Sequence, residues 1–425
     1  MKTMDKRILL RALESEIERT TGCTDPGAVC LAVRAAAIEL GVDPEKIVVT
    51  VSPNIYKNGI NVGVPGTGMR GLHIAAGLGA VIKSTSSGLA LLDAVDPADV
   101  ERAVQLVNNG RVTITHAETT SALYIKAEVF SGAHYAHAVI RDDYTSIVEV
   151  GLDGKKVSSP RGMPVKTKHE SLKGYTLEEL FTSIDTMTVE ELTFLRDAAE
   201  VNRKAAEAGL ESGPCPLGKA LYSGLAGAGV RHMAAARAQA LTAAACEARM
   251  SGMQVPIIAI AGSGNHGIAS FLGILAVAET LASPEEKLLK ALAISSTVTV
   301  AIKEHSTKLS AFCGCAVAAS TGVAAGTVYL LGGSYEEITH AMQSVIGTLA
   351  GMVCDGAKES CAFKLSSSVA LAIQFGHLSL EDAYIKEGMG IVSQSIEKTF
   401  ENLGRLNNPG MVTADKLMLQ MISGH

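Results

Sequence analysis

A change of texture at residue 46 constrains this chain more than any other feature. Residues 5–19 and Ala28–Leu40 carry apolar positions at helical spacing, and the pattern from about residue 174 onward is again mainly helical. Between them lie five β-branched segments, at 47–52, 111–116, 122–130, 134–140 and 146–150. A period of two and a period of 3.6 cannot bury the same face, so these strands need a sheet of their own. The expected fold is α+β: a predominantly helical domain with a smaller inserted α/β domain. Its parts are residues 1–45 and 154–425 on the helical side and 46–153 as the insert, with the basic, proline-bearing stretch Gly154–His169 as the second boundary.

The 425 residues suffice for two or three domains and a sizeable core. Aromatic residues make up only 4% and Trp is absent, so Ala and Gly must bring backbones close together. A net charge of −6 without a dense Lys/Arg run argues against a nucleic-acid partner. The charged start, Met1–Arg7, leads into no uninterrupted apolar run, so no secretion signal is expected. Leu309–Tyr335 has no charged side chain, but its Gly, Ser, Thr and Ala content fits a buried helix or helix pair better than a membrane span. The reading is a cytoplasmic protein, where eight cysteines point to metal or thiol chemistry rather than disulfides.

Four of the cysteines lie late, in Cys313-Gly-Cys315 and Cys354-Asp-Gly-Ala-Lys-Glu-Ser-Cys361. Seven positions are about two helical turns, so Cys354 and Cys361 could face one object. In a regular helix Cys313 and Cys315 point about 200° apart, so only one of them would join that pair. Three thiolates suit an iron–sulfur cluster; no compact Cys/His quartet for zinc is present. Cys23 stands before a helix capped by Thr24 or Asp25, where the dipole favours a thiolate. Cys30, Cys215 and Cys246 read as packing thiols.

Gly262-Ser-Gly-Asn-His-Gly267 follows the apolar run Pro256–Ala261. Its small residues would let a ligand carboxylate reach backbone N–H groups, Ser263 and Asn265 could add hydrogen bonds, and His266 could move a proton. It has neither the spacing of a dinucleotide fingerprint nor the lysine of a phosphate loop. Pro65-Gly-Thr-Gly-Met-Arg-Gly71 reads as a loop packed against another domain, with Arg70 available to an anion. Lys303–Lys308 offers further acid/base candidates. His134 and His137 fall on opposite faces of a strand and are not a metal pair.

Thr21-Gly-Cys-Thr-Asp-Pro-Gly27, Gly262–Gly267 and Cys354–Cys361, in this order, resemble the family that joins L-cysteine desulfidases to the iron–sulfur L-serine dehydratases, specifically its UPF0597 branch. The resemblance covers nearly the whole chain. It implies a helical catalytic domain and a [4Fe-4S] cluster with one iron open to substrate. The implied ligands are Cys354, Cys361 and Cys313, with Cys315 as the alternative third. Gly262, Ser263, Gly264, Asn265 and Gly267 would bind the substrate, and residues 46–150 match the family's smaller domain. Cys23 would be the base as a thiolate, or a resting-state ligand; His266, His305 and Lys308 would assist proton transfer.

The implied reaction is β-elimination of a small L-amino acid, with L-cysteine giving pyruvate, ammonia and sulfide. A cysteine at position 23 and the short Cys354–Cys361 interval are similar to the desulfidases; L-serine dehydration is the alternative. A pyridoxal-phosphate dehydratase is a rival because the Ser263–Gly267 loop resembles that class too, but its lysine context is missing. A cluster-bearing redox sensor or scaffold is the non-enzymatic reading. The expected partners are an amino-acid substrate and a second copy in a homodimer, with no nucleic acid and no membrane.

Overall fold

The computed structural model describes residues 4–82, 88–117, 121–157, 170–212, 217–227 and 230–423. Most of the expected boundary segment (158–169) and Cys215 lie outside them. Helix α1 (Lys6–Glu16) opens on Asp5, whose carboxylate accepts the Arg7 amide at 3.0 Å. The helix expected to reach residue 19 stops at Glu16. Strand β1 (Ile17–Thr21) follows, paired antiparallel with Pro256–Ile260. β-Branched Ile17 and Thr20 pair with Ile260 and Ile257 there, and Thr21 with Pro256, and this distant pairing overrides the local helical pattern.

The chain continues through α2 (Thr24–Leu40), β2 (Lys46–Val51), α3 (Pro53–Gly59), α4 (Leu72–Val81), α5 (Pro97–Asn108), β3 (Val112–His116), β4 (Tyr124–Ser131), β5 (His134–Arg141), β6 (Ile147–Leu152) and the short β7 (Lys155–Lys156). All five expected strands are present, in a six-stranded sheet of order β3-β2-β4-β5-β6-β7. The β2–β3 pair is parallel, and the other neighbours are antiparallel. Alternation puts Ile125, Ala127 and Val129 of β4 in the core, while Lys126 and Glu128 pair on the other face. His134 and His137 pair with Asp153 and Glu149.

Helix α2 covers the inner face of the sheet: Ala28, Val29, Ala32 and Ala36 share a core with Ile47, Val49, Ile125 and Ala138. By packing, then, α2 sits with the sheet that the sequence reading starts at residue 46. Full burial of each such Val or Ile contributes roughly 1.5–3 kcal/mol.

The helical remainder comprises α6 (Leu177–Asp185), α7 (Val189–Ser212), α8 (Leu217–Ser223), α9 (Val230–Met250), β8 (Pro256–Ile260), α10 (Gly264–Thr280), α11 (Glu285–Ser306), α12 (Ser320–Leu331), α13 (Tyr335–Leu349), α14 (Cys361–Ser379), α15 (Ile396–Arg405) and α16 (Val412–Ser423). The Ala-rich α9 packs against α7, α8, α10 and α14. A Cβ at Gly322 of α12 would stand 2.3 Å from the Ser295 carbonyl of α11, so only glycine permits that approach. The uncharged stretch at 309–335 contributes a π-turn at Cys315–Ala319 and the buried helix α12. Among the described residues no helix is long and apolar enough to cross a membrane.

Candidate active site: a thiol pocket and a carboxylate pocket

Two short backbone contacts assemble the late cysteines. Phe312 and Val353 form an isolated antiparallel bridge; the Cys313 amide donates to the Met352 carbonyl and the Cys354 amide to the Ala311 carbonyl, both at 2.7 Å. Cys313 is thereby held beside Cys354. Cys361 is the first residue of α14 and returns to the same place, its thiol 3.6 Å from the Gly356 carbonyl. The expected two-turn helix between Cys354 and Cys361 is absent. Residues 354–360 form a loop instead, because Gly356 takes φ 93° and Lys364 ties the loop down through Asp355 (2.5 Å) and the Val353 carbonyl (3.0 Å). Nor do Cys313 and Cys315 diverge on a regular helix: Cys315 opens the π-turn, and its thiol donates a hydrogen bond to Cys313.

The thiols act on one another. The Cys315 hydrogen bond, outweighing burial, and the amides of Ala316 and Cys315 draw the Cys313 thiol down, aided by the Lys364 charge. Burial pushes Cys361 up to about 11 and raises Cys354, and a Cys313 thiolate adds to both. Cys246, expected only to pack, joins this group: burial and then Cys361 raise it. Crowded thiols of this kind cannot all ionise unless a cation compensates them. Lys303, buried and 3.0 Å from the Ser310 hydroxyl, is held down to about 8 by burial against the pull of Cys354, Cys315 and Cys313.

Among the described residues no group of three or more His, Cys, Asp or Glu is placed to hold a single metal ion. An iron–sulfur cluster asks for something different, since each thiolate meets its own iron and the sulfurs stand apart. Three soft donors with buried cations nearby fit that group, and the neighbours of Cys313 favour its thiolate.

The inserted domain grips the cysteine loop. Buried Lys57 of α3 donates to the Cys354 carbonyl at 2.8 Å and pairs with Asp415 of α16. Arg70 pairs with Glu359, so the Pro65–Gly71 loop packs against this segment and its arginine is committed.

The glycine loop lies on the opposite wall. Ala261 and Gly262 both have positive φ, turning the chain from β8 into α10. Ser263 gives α10 no side-chain cap, which leaves its N-terminus available to an anion. Asn265 accepts Arg249 Nη1 at 2.9 Å, and Arg249 Nε donates to the Gly22 carbonyl at 3.1 Å. Burial, then the Lys303 charge, lowers His266 to about 3. The neutral ring donates from Nδ1 to the Ile260 carbonyl at 3.1 Å, and Nε2 faces Gly314, where a Cβ would come within 2.5 Å. The expected loop thus abuts the expected cysteine motif.

Cys23, the N-cap of α2, belongs to a second buried polar cluster. Its thiol donates to Asp25 Oδ2 at 3.4 Å, and Tyr144 donates to Asp25 Oδ1 at 3.2 Å. The expected thiolate is not what this setting favours. Burial and the Asp25 charge push Cys23 up to about 12, and the helix dipole does not outweigh them.

His305 stands away from the late cysteines, whereas Lys308 lies against the glycine loop, its Cδ 3.3 Å from where a Cβ at Gly262 would stand. His305 faces Phe400 and lines a separate cavity with Tyr175 and Glu397. Lys308 is held between Glu16 (3.2 Å) and Asp143 (2.5 Å); burial opposes its charge, but the two carboxylates prevail and raise it. It fastens the insert to the helical part. Lys303 and Lys308 also line a cavity of about 380 Å³ shared with Ala261 and with Ser121–Leu123 of the insert.

Sequence reasoning passed over Asp25, Asn58, Tyr144, Arg249 and Lys57. The available signals were faint: Asp25 lies inside the Thr21–Gly27 motif, and Arg249 is one of two charges in the apolar end of α9.

A profile of the family described as serine dehydratase alpha chain matches residues 86–420. A UPF0597 protein of Desulfatibacillum aliphaticivorans is 37% identical, covering 96% of each chain. Others from Desulfotalea psychrophila and Clostridioides difficile are each 36% identical, covering 96–97% of this chain and 97–99% of theirs. The chain belongs to the UPF0597 family, related to the serine dehydratase alpha chain, and is a serine-dehydratase-like protein.

Proposed function

We propose that the protein catalyses β-elimination of a small L-amino acid, L-cysteine first, yielding pyruvate, ammonia and sulfide. The observation that carries this reading is the Phe312–Val353 bridge, which sets Cys313 beside Cys354 while the adjoining Gly314 abuts His266 of the Gly262–Gly267 loop. Cys313, Cys354 and Cys361 would hold a [4Fe-4S] cluster. When bound, such a cluster would supply a Lewis acid for the departing sulfur or oxygen.

The chain's own residues account for the rest. The uncapped N-terminus of α10 binds the substrate carboxylate, and the Arg249–Asn265 contact fixes that loop. His266, kept neutral, orients the loop through Nδ1 and presents Nε2 as an acceptor for the substrate ammonium. Removal of the Cα proton falls to the Cys23–Asp25 pair. The cavity beside Ala261 and Lys303 gives access between insert and helical part.

L-Serine is the second reading, favoured by the family's description. A homodimer and a cytoplasmic setting, where thiols stay reduced, belong to the same proposal. Anaerobic reconstitution with iron and sulfide, followed by parallel cysteine and serine assays, tests it. Pyruvate with sulfide supports the first reading and pyruvate from serine alone the second; full turnover by metal-free protein sinks both.

A further inference from the structure

We propose that Asp25, not Cys23, is the base that takes the substrate's Cα proton, with the Cys23 thiol positioning its carboxylate. This rests on the β-elimination reading above. Asp25 is the second residue of α2 and is buried. Its carboxylate accepts Cys23 Sγ (3.4 Å) from its own cap, Tyr144 OH (3.2 Å) from the turn after β5, and the Asn58 side chain from α3. Arg249 of α9 is the cation facing it. Asn58 also reaches the other way, its Oδ1 lying 4.0 Å from Cys354 Sγ. A carboxylate therefore stands one amide side chain away from a proposed cluster ligand. Tyr144, which donates to Asp25, also packs against the glycine loop, its ring 3.0 Å from where a Cβ at Gly262 would stand, so an amino acid held by that loop would present Cα toward Asp25 and its β-substituent toward the thiols.

The protonation states agree with this assignment. Burial pushes Asp25 up to about 6, while Cys23, Tyr144, Arg249 and Asn58 pull it back. It is ionised at neutral pH and more basic than an ordinary carboxylate, as a general base should be. Cys23, pushed up to about 12, would be a thiolate in on the order of one molecule in 10⁴ at pH 8. In the step itself the Cα–H bond breaks and its proton goes to Asp25. The electron pair forms Cα=Cβ, and the Cβ–S bond breaks with its pair leaving on hydrosulfide. Asp25 then returns its proton to hydrosulfide, giving hydrogen sulfide, aminoacrylate and the original carboxylate. No oxidant is needed.

The test uses the reconstituted full-length protein and its Asp25→Asn, Asp25→Glu and Cys23→Ala variants. Each is assayed for cluster absorbance, cysteine turnover across pH, and the infrared S–H band of the cluster-free form. Asp25→Asn should keep the cluster and KM but lose about a thousandfold in kcat, with Asp25→Glu recovering part of it. Cys23→Ala should lose no more than about tenfold, with the acid limb of the profile moved upward because a donor to the carboxylate is gone. The S–H band that Cys23→Ala removes should persist above pH 9 in the wild type. Because the Asp25 charge raises Cys23, a cysteine base would instead survive Asp25→Asn and work at lower pH. That result, or loss of the S–H band below pH 9, overturns the assignment. Wild-type protein that holds its cluster yet turns over neither cysteine nor serine sinks the reaction, and the inference with it.

Discussion

Cys313 and Cys23 are both buried and both precede a helical turn, yet their surroundings drive them in opposite directions. Cys313 receives the Cys315 thiol hydrogen and two backbone amides and feels Lys364, so it comes down. Cys23 faces Asp25 and goes up to about 12. The start of a helix does not by itself make a thiolate; the nearest charge and the direction of the hydrogen bonds decide. One pocket is therefore suited to holding a positively charged group and the other to holding a proton.

The largest effect that would break this contrast is at the thiol pocket. Cys354→Ala should remove bound iron and acid-labile sulfide and abolish turnover, whereas Cys23→Ala should retain both iron and sulfide. Cys315→Ala should also retain them, since Cys313 supplies the third thiolate; loss of the cluster in Cys315→Ala with retention in Cys313→Ala would reverse the assignment. Next is Gly314→Ala, whose methyl would meet His266 Nε2 within 2.5 Å. Chemical denaturation should show a loss of about 1–3 kcal/mol from that overpacking, joining the glycine loop to the cysteine motif.

The carboxylate pocket gives a smaller effect with a definite pH signature. The folded-state pKa of Asp25, about 6, lies above the ordinary value of 3.8. Its contribution to stability is fully present below pH 3.8 and is lost as pH rises through 6. Asp25→Asn should thus stabilise the cluster-free protein on the order of 2 kcal/mol at pH 8, with the gain vanishing near pH 4. His266 has the opposite sign: lowered from 6.5 to about 3, it contributes stability above pH 6.5 that is lost as pH falls toward 3. Denaturation of Asp25→Asn and His266→Gln across pH separates the two. The smallest effect is expected from Arg70→Ala. Its pairing with Glu359 is half exposed at the arginine, so the stability loss should stay under about 1 kcal/mol.

Much of the fold was legible. The five β-branched segments became five strands, and the uncharged stretch after Cys313 became a π-turn and the buried helix α12. The β1–β8 pairing was not legible, because its two halves lie far apart in the chain and each alone reads as something else. At the site, the motifs were legible in the sequence and their arrangement in space was not. Cys354 and Cys361 meet through a loop that Lys57, Arg70 and Lys364 hold from outside the motif. His305 and Lys308, close to Cys313 in sequence, are turned toward Phe400 and toward Glu16 and Asp143.

The sequence alone determined periodicity, and with it which segments became strands and helices, because side-chain direction repeats with the local backbone. It also supplied the cysteine, glycine-loop and Cys23 motifs. Only the tertiary structure decided the chemical state of each group. Burial and charge act through space, so Asp25, Asn58, Arg249 and Lys303 shape the site from four separate elements.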